Sequence, residues 1–515
     1  MTALEALQAD VEQFVCSIMG DHEPRDVRAP KFIRDACFGF GRFHPYECNI
    51  IDSPLLQRLR RIHQTALAYF TYPSAQHTRF EHSLGCAVLV ERMVKALRET
   101  HEIGVEPQRL AELRLAALLH DCGHLPFSHA AEPFLRKTPL YAAAAAENRE
   151  LFDQVNPHEM LSYLIVKSQR FGDFWKRVAP KYPMKRDDDA KLTDIDLENV
   201  ANIIIGRVTD PKLMYYTQMI HGPFDADKLD YMLRDALFTG LGLEVDLDRL
   251  FYTLKTFEPP AGKAQVLAIE LSGVINVEQL AFNKTLLYSS VYHHHKVRAT
   301  LCYVDALLRS MSQSSVGGPH CQTPADLLAT DEVRLLSDDH CSDTAVEEIV
   351  TRIRNRDLLK RVLVLSSGSL DEENRLARVK YSEFIEGHDR DSDEAYRLIH
   401  DFEIELANQI PGLAPELVYF DVPKVPTLGE AGATTVILGD GSIVSLRDVY
   451  PTDYWANAYG QYKHKSYIFG PEKHREALAI AAIPLLEKHF GLKLNSLAID
   501  QAKHRTPIDH SLPPA

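Results

Sequence analysis

Apolar residues in the first half of the chain recur mainly at helical spacing. Leu4, Leu7, Val11, Phe14 and Val15 predict a short N-terminal helix. Ser53-Pro54 reads as an N-cap followed by Pro at the first helical position, so residues 53–70 are predicted helical. Gln57-Arg58-Leu59-Arg60-Arg61 would give that helix a basic face, with Arg58 and Arg60 as surface charges. Leu84, Ala87, Val90, Val94 and Leu97 form a second stripe with His82 at its start. Leu110, Leu113 and Ala117 form a third, and His120 continues it to the helix end. Residues 142–146, all Ala, predict a solvent-facing helix or an insertion. Residues 157–180, 194–220 and 225–237 also read as helical, with a charged loop at 185–189, and 276–311 holds one long helix or two.

The period then changes. Residues 312–324 are rich in Ser, Gly and Pro and form the best linker candidate. Short helical stretches follow at 326–337 and 343–356. Arg361–Leu365 and Leu417–Val422 read as strands, and Thr435–Leu438 and Ile443–Leu446 flank Gly439-Asp440-Gly441-Ser442 as a hairpin. Residues 373–409 and 471–490 read as helices. The expected fold class is mainly α: a helical domain over 1–320, then a smaller α+β domain over 325–515.

Composition narrows the function. The 515 residues carry a net charge of −15, which argues against a general nucleic-acid coat built on Lys and Arg. Eight scattered cysteines form no C-x-x-C pair, so a reducing cytoplasm is expected. The acidic start lacks the apolar core of a signal peptide, and no apolar run is long enough for a spanning helix.

Chemistry concentrates in Leu118-Leu119-His120-Asp121-Cys122-Gly123-His124-Leu125-Pro126-Phe127-Ser128-His129. Adjacent His120-Asp121 offers an imidazole and a carboxylate, a mix that suits a divalent metal. Gly123 follows where a helix would stop. Asp227, Tyr231 and Asp235 would share one face of a helix, either as a buried polar face that demands partners or as a solvated face.

Three ordered motifs carry a resemblance. Arg79-Phe80-Glu81-His82-Ser83-Leu84-Gly85, the 120–129 run and Asp225-Ala226-Asp227-Lys228-Leu229-Asp230-Tyr231 resemble the HD-domain metal-dependent phosphohydrolases, and within them the dNTP triphosphohydrolase branch. Animal members of that branch carry a sterile-alpha-motif domain before the HD domain. The match spans roughly 50–310. The resemblance implies an HD-domain helical bundle in which His82, His120, Asp121 and Asp227 bind one divalent cation (Mn, Fe, Ni, Co or Zn, with Mg possible on the phosphates). It implies His129 as general acid, with His124, Glu132 and His158 around the attacking water. It implies Arg79 and Lys228 on phosphate oxygens, Gln64, Tyr231 and Asp235 around the deoxyribose, and His295 on the substrate. The partner would be a nucleotide, and the family's habit suggests a homo-oligomer, dimer or tetramer, assembled through lobes such as the C-terminal domain.

One departure bears on substrate. The family's aromatic-Gln-His-Lys run reads His293-His294-His295-Lys296 here, and a phosphate-holding arginine is Thr285. The expected reaction is hydrolysis of a dNTP to deoxynucleoside and triphosphate. The alternatives are an HD phosphohydrolase acting on a monophosphate or a signalling nucleotide, or a nucleic-acid-binding protein with an HD fold. For the last, Tyr450, Tyr454, Trp455, Tyr459, Tyr462 and Tyr467 with Lys463, His464 and Lys465 could stack single strands, but they read better as core of an α+β domain with a few surface charges.

Overall fold

In the computed structural model, the described residues are all except 101–105, 154, 183–190, 209, 259–263, 314–320, 338–343, 389–392, 426–431, 451–453, 455–457, 459–462 and 504–515. The charged loop at 185–189, much of the linker candidate, and Trp455, Tyr459 and Tyr462 fall outside them. The fold is mainly α with small sheets. Contacts divide it into two units. One comprises Met1–Leu287, Leu307–Val350 and Leu428–Asp453; the other comprises Tyr288–Ala306, Thr351–Thr427 and Tyr454–Ala515.

The helices used below are α1 (Ala3–Met19), α2 (Pro45–Ile51), α3 (Arg79–Thr100), α4 (Pro107–Leu119), α5 (Pro157–Val166), α6 (Ala226–Thr239) and α7 (Ser496–Lys503). The strands are β1 (Lys31–Asp35), β2 (Gly39–Phe43), β3 (Leu254–Phe257), β4 (Val266–Glu270), β5 (Lys360–Leu365), β6 (Tyr419–Asp421), β7 (Thr435–Ile437), β8 (Ile443–Ser445) and β9 (Ser466–Gly470).

In the first unit, α1 starts at a capping box between Thr2 and Glu5 and buries Leu7, Val11, Phe14 and Val15. The alanine-rich helix Pro139–Glu147 packs on α1 and buries Tyr141 and Ala144. Helix α3 is the axis of the unit. It packs against α4 and α6, and its stripe is buried at Leu84, Ala87, Val90, Val94 and Leu97. A sheet of order β3-β4-β7-β8 belongs to this unit, with β4 parallel to β7 and the expected Gly439–Ser442 turn closing the β7–β8 hairpin. In the second unit, β5 and β6 pair antiparallel with β9, where Tyr467 is buried. Residues 274–313 form two helices, Val274–Leu287 and His295–Gln313, separated by a π-helical turn at Tyr288–Tyr292.

Two expectations need correction. Residues 53–70 are not one helix: one turn at Pro54–Gln57 passes into 3₁₀ turns at Arg58–Arg61 and Ala68–Phe70. Arg58 is not a surface charge. It is buried and donates to the carbonyls of Leu328 and His124, both at 2.6 Å. Burial without a carboxylate partner pushes its pKa down to about 10. Arg60 does stay at the surface, over the Phe80 ring. The β1–β2 hairpin has no sequence signal because, although burial alternates along both strands, the apolar Phe32 and Phe40 lie on the exposed face, so the hydrophobic pattern does not follow the burial.

A second buried guanidinium ties the unit together. Arg114 on α4 donates to both Glu47 oxygens on α2 (2.6 and 2.9 Å), to Glu91 on α3 and to the carbonyls of Ala87 and Arg42. All its hydrogen-bond partners are oxygen acceptors, two of them carboxylates, so its charge is held despite burial. Removing it would strand Glu47, which has no exposure. Arg114→Met is expected to lower stability by about 3–5 kcal/mol in denaturant unfolding; a loss near zero would show that the pair is not what joins these helices.

Candidate metal centre

Three helix ends meet at one point of the first unit. His82 stands in the first turn of α3, His120 and Asp121 follow the last residue of α4, and Asp227 stands in the first turn of α6. His82 Nε2 lies 3.2 Å from His120 Nε2 and 3.1 Å from Asp227 Oδ1. Asp121 presents Oδ2 at 3.5 Å from His82 Nε2 and Oδ1 at 3.5 Å from His120 Nε2. His82 and Asp121 are fully buried, whereas the Asp227 side chain is 35% exposed, so the centre opens on that side.

With both rings neutral, as metal ligation requires, the two facing ring nitrogens are lone pairs, because the other nitrogen of each ring donates. His120 Nδ1 is 2.8 Å from the Ala117 carbonyl, and His82 Nδ1 is 2.7 Å from Asp230 Oδ2. Two lone pairs and two carboxylates aimed at one point repel unless a cation stands among them. Donors bonded to one divalent ion at roughly 2.0–2.2 Å lie about 3–3.5 Å from one another, which is close to the spacing here. The donor set therefore fits a divalent cation.

Outer partners hold these ligands in place. Asp230 takes a two-pronged grip from Arg234, 2.8 Å on each oxygen, and Arg234 also reaches Asp35 at 2.9 Å. Such a carboxylate behind a histidine fixes its tautomer and orientation. Gly85 makes this possible, since a Cβ there would overlap Asp230 Oδ1 and Arg234 Nη2. Cys86, one turn after His82, is also close. Its sulfur is 3.7 Å from both His82 ring nitrogens, so it lies against the ring rather than along the Nε2 lone pair, and burial pushes its thiol up. Despite burial, Arg79, His120 and His124 hold the Asp121 carboxyl well below the usual range.

A histidine–glutamate cluster adjoins the centre. His124 and His158 stack at 4.0 Å between ring centroids, and His124 Nε2 is 3.3 Å from Asp121 Oδ1. Glu132 Oε1 accepts from His158 Nδ1 at 2.5 Å and stands 3.2 Å from His129 Nδ1. His158 is buried; burial opposes its charge, but Glu132 outweighs this and raises its pKa to about 9. Burial, with Arg79 and His158 adding to it, pushes His124 well below its ordinary value. His129 is exposed at the rim.

The turn carrying these groups is built by contact, not by glycine freedom. A Cβ on Gly123 would overlap the backbone of α5 at His158 and Ser162, so the glycine lets α5 approach and bring His158 in. Ser162 Oγ donates to the His120 carbonyl at 2.5 Å and accepts the Gly123 amide. Phe127 and Ser128 are left-handed, at φ 63° and 53°. Glu332 holds that strained turn by accepting the amides of Phe127 and His63, each at 3.0 Å.

The remaining sequence-named residues divide. Arg79 Nη1 donates to Asp121 at 2.9 Å, and Lys228 Nζ to Asp225 at 2.7 Å and to the Gly222 carbonyl. Asp235 accepts from His77 at 2.7 Å, and Tyr231 stands one turn after Asp227. Gln64 is buried, and its Oε1 meets no hydrogen-bond donor among the described residues. His295 opens a helix in the second unit. Thr285 donates to the Ala281 carbonyl within its own helix.

An HD domain model matches residues 79–203, and an HD-associated region model matches 245–488. The chain is an HD-domain protein. It is 29% identical over 338 residues to an uncharacterised protein of Methanocaldococcus jannaschii, covering 65% of this chain and 60% of that one. It is 27% identical over 274 residues to the deoxynucleoside triphosphate triphosphohydrolase SAMHD1 of Gallus gallus, covering 51% of this chain and 42% of that one. The chain thus spans less than two thirds of either relative. A hypothetical protein of Aquifex aeolicus shares the fold, with a TM-score of 0.59 at 23% identity over 88% of this chain and all of that one.

Asp230 and Arg234, between the two matched regions, and Glu332, in the HD-associated region, are supporting residues that the motifs did not single out. Asp230 and Arg234 are four apart on α6, a spacing that suits a helix ion pair; nothing local marks Glu332. Asp230→Asn is expected to weaken divalent-metal binding about 10–100-fold, measured by metal titration on protein shown to be folded. Unchanged affinity would separate Asp230 from the centre.

Proposed function

We propose that the chain is a metal-dependent phosphohydrolase that converts a dNTP to deoxynucleoside and inorganic triphosphate. The observation that carries this reading is the convergence of two imidazole lone pairs and two carboxylates beside a histidine–glutamate cluster. His82, His120, Asp121 and Asp227 would hold the cation, of the Mn, Fe, Ni, Co or Zn class, with Mg on the phosphates. Such a cation supplies Lewis acidity and an acidified water. Around it, His124 and His158 line the side from which water would attack, and Glu132 orients both His129 and His158. His129 is the proton donor in this reading. Its exposure at the rim suits a group that meets the leaving oxygen only once substrate is seated. Gln64 offers an unused buried acceptor for a sugar hydroxyl. The names of the SAMHD1 relatives support the dNTP as substrate.

A second reading keeps the same chemistry on another nucleotide. It draws on three facts. Arg79 and Lys228 already hold carboxylates, and Thr285 stands where the resemblance expects an arginine. A triphosphate would have to draw these cations away from Asp121 and Asp225.

Two measurements test the proposal. Protein loaded with Mn²⁺ and incubated with each dNTP should release inorganic triphosphate, and chelation should stop release until metal is restored. Orthophosphate or pyrophosphate alone would favour the second reading. His129→Ala should lower kcat about 10²–10⁴-fold while leaving metal content unchanged; an undiminished kcat would remove His129 from the proton-donor role.

A further inference from the structure

The second unit contains a cavity of about 300 Å³ that the metal centre does not account for. Strand β5, the turn at Ser366–Ser369, Lys465 and α7 enclose it. Its volume is at the lower end of small-molecule sites.

Its lining is unusual for this chain. Net charge is −15, yet Arg361 and Lys465 both line the cavity, and among the described residues no acidic side chain does. Among the described residues, neither cation has an ion pair or side-chain hydrogen bond. Arg361 is half-buried, and burial lowers its pKa because only Tyr467 offsets it. A β-bulge between Arg361 and Leu363 interrupts the pairing with β9; bulges commonly re-aim side chains beside sites. The Ser366–Ser369 turn is held by its own backbone: the Ser369 amide and hydroxyl both donate to the Ser366 carbonyl and the Ser366 amide donates to Ser369 Oγ, and Ser366 lines the cavity. Asn495 fixes the opposite wall: its amide donates to the carbonyls of Gly368 and Leu370 and its oxygen accepts from Ala498. Beyond these polar groups, Ala498 and the 63%-exposed Leu497 give an apolar face.

We propose that this cavity is a binding site for a phosphorylated small molecule. Arg361 and Lys465 take the phosphate oxygens, one as a planar fork and one as a point charge. Ser366 donates a third hydrogen bond, and the carbon framework of the ligand rests on Leu497 and Ala498. The shared chemistry is a polyanionic phosphate, carried either by a nucleotide or by an inorganic polyphosphate. This inference does not depend on the reaction proposed for the metal centre.

Hydrogen–deuterium exchange on the full chain tests it, with chelator present to stop turnover. The probes are dGTP, GTP, tripolyphosphate and unphosphorylated deoxyguanosine. Phosphorylated probes should slow exchange in peptides covering 361–369 and 496–502, and deoxyguanosine should not. Lys465→Gln, at an exposed position that leaves the fold intact, should weaken this effect about tenfold, as for a lost hydrogen bond to a charged group. Arg361→Gln should do the same. Slowing by nucleotides and not tripolyphosphate identifies a nucleotide site; equal slowing by tripolyphosphate identifies a polyphosphate site. No slowing by any phosphorylated probe, equal slowing by deoxyguanosine, or slowing unchanged in both variants would overturn the proposal. Peptides from 79–129 and 225–239 report the metal centre separately, so failure of one reading is distinguishable from failure of the other.

Discussion

The fold around the metal centre answers a charge problem. Asp121, Asp230, Asp35 and the part-exposed Asp227 bring four carboxylates into one neighbourhood, and Arg79 and Arg234 bring two guanidinium groups. With the histidines neutral and Lys228 balancing Asp225, the imbalance of these six groups is two negative charges, which a divalent cation cancels. Buried charge that is neither paired nor ligated is too costly to persist. This demand explains local features that look unrelated in sequence. Gly85 is small because Asp230 and Arg234 must pass beside α3. Arg234 is buried because Asp230 must stay ionised behind His82. Helix α6 begins at an Asp225 cap that starts the turn carrying Asp227.

Sequence legibility follows the range of the interaction. His82, His120-Asp121 and Asp227 stand out because each sits at a helix end that local pattern marks, and because their order along the chain is distinctive. The apolar stripes of α3 and α4 are legible for the same reason: each helix buries one continuous face. The pairing of β4 with β7 is not, since strands so far apart leave no shared local signal. Arg58 is the clearest misreading. A Gln-Arg-Leu-Arg-Arg run looks like a solvated face, and only the distant carbonyls of Leu328 and His124 turn one of its arginines inward. Gly123 is instructive in another way. A stop signal for α4 is a fair local reading, yet its backbone is not left-handed, and the constraint is contact with α5.

The groups proposed for substrate are less constrained than the candidate metal ligands, and the reason is physical. The ligand geometry is fixed by groups with one arrangement: tautomers locked at Nδ1 and a carboxylate gripped by a fork. The groups named for phosphate are long cations with more than one acceptor in reach. Arg79 bridges Asp121 and Ser128, and Lys228 bridges Asp225 and the Gly222 carbonyl. Arg79 cannot turn fully to a phosphate without loosening Asp121, because its charge is one of those that keep that carboxylate ionised. In the proposed reaction, phosphate recognition and metal ligation would therefore compete for one guanidinium. A triphosphate brings more negative charge than a monophosphate and draws on that guanidinium harder.

The segment after residue 320 enters the same argument. It supplies the Leu328 carbonyl to Arg58 and the Glu332 carboxylate to the Phe127 amide, so both sides of the 124–128 turn are held by residues some 200 positions later. Left-handed Phe127 and Ser128 carry a conformational cost of order 1–3 kcal/mol each, and a strained turn keeps its shape only where its surroundings over-determine it. Glu332 provides this by binding the Phe127 amide and the backbone and ring of His63 together, while Ser128 donates to the His63 carbonyl. The region that looks like the start of a second domain is thus part of what keeps His124 against Asp121. The histidine–glutamate cluster depends on that distant support as much as on the motif that contains it.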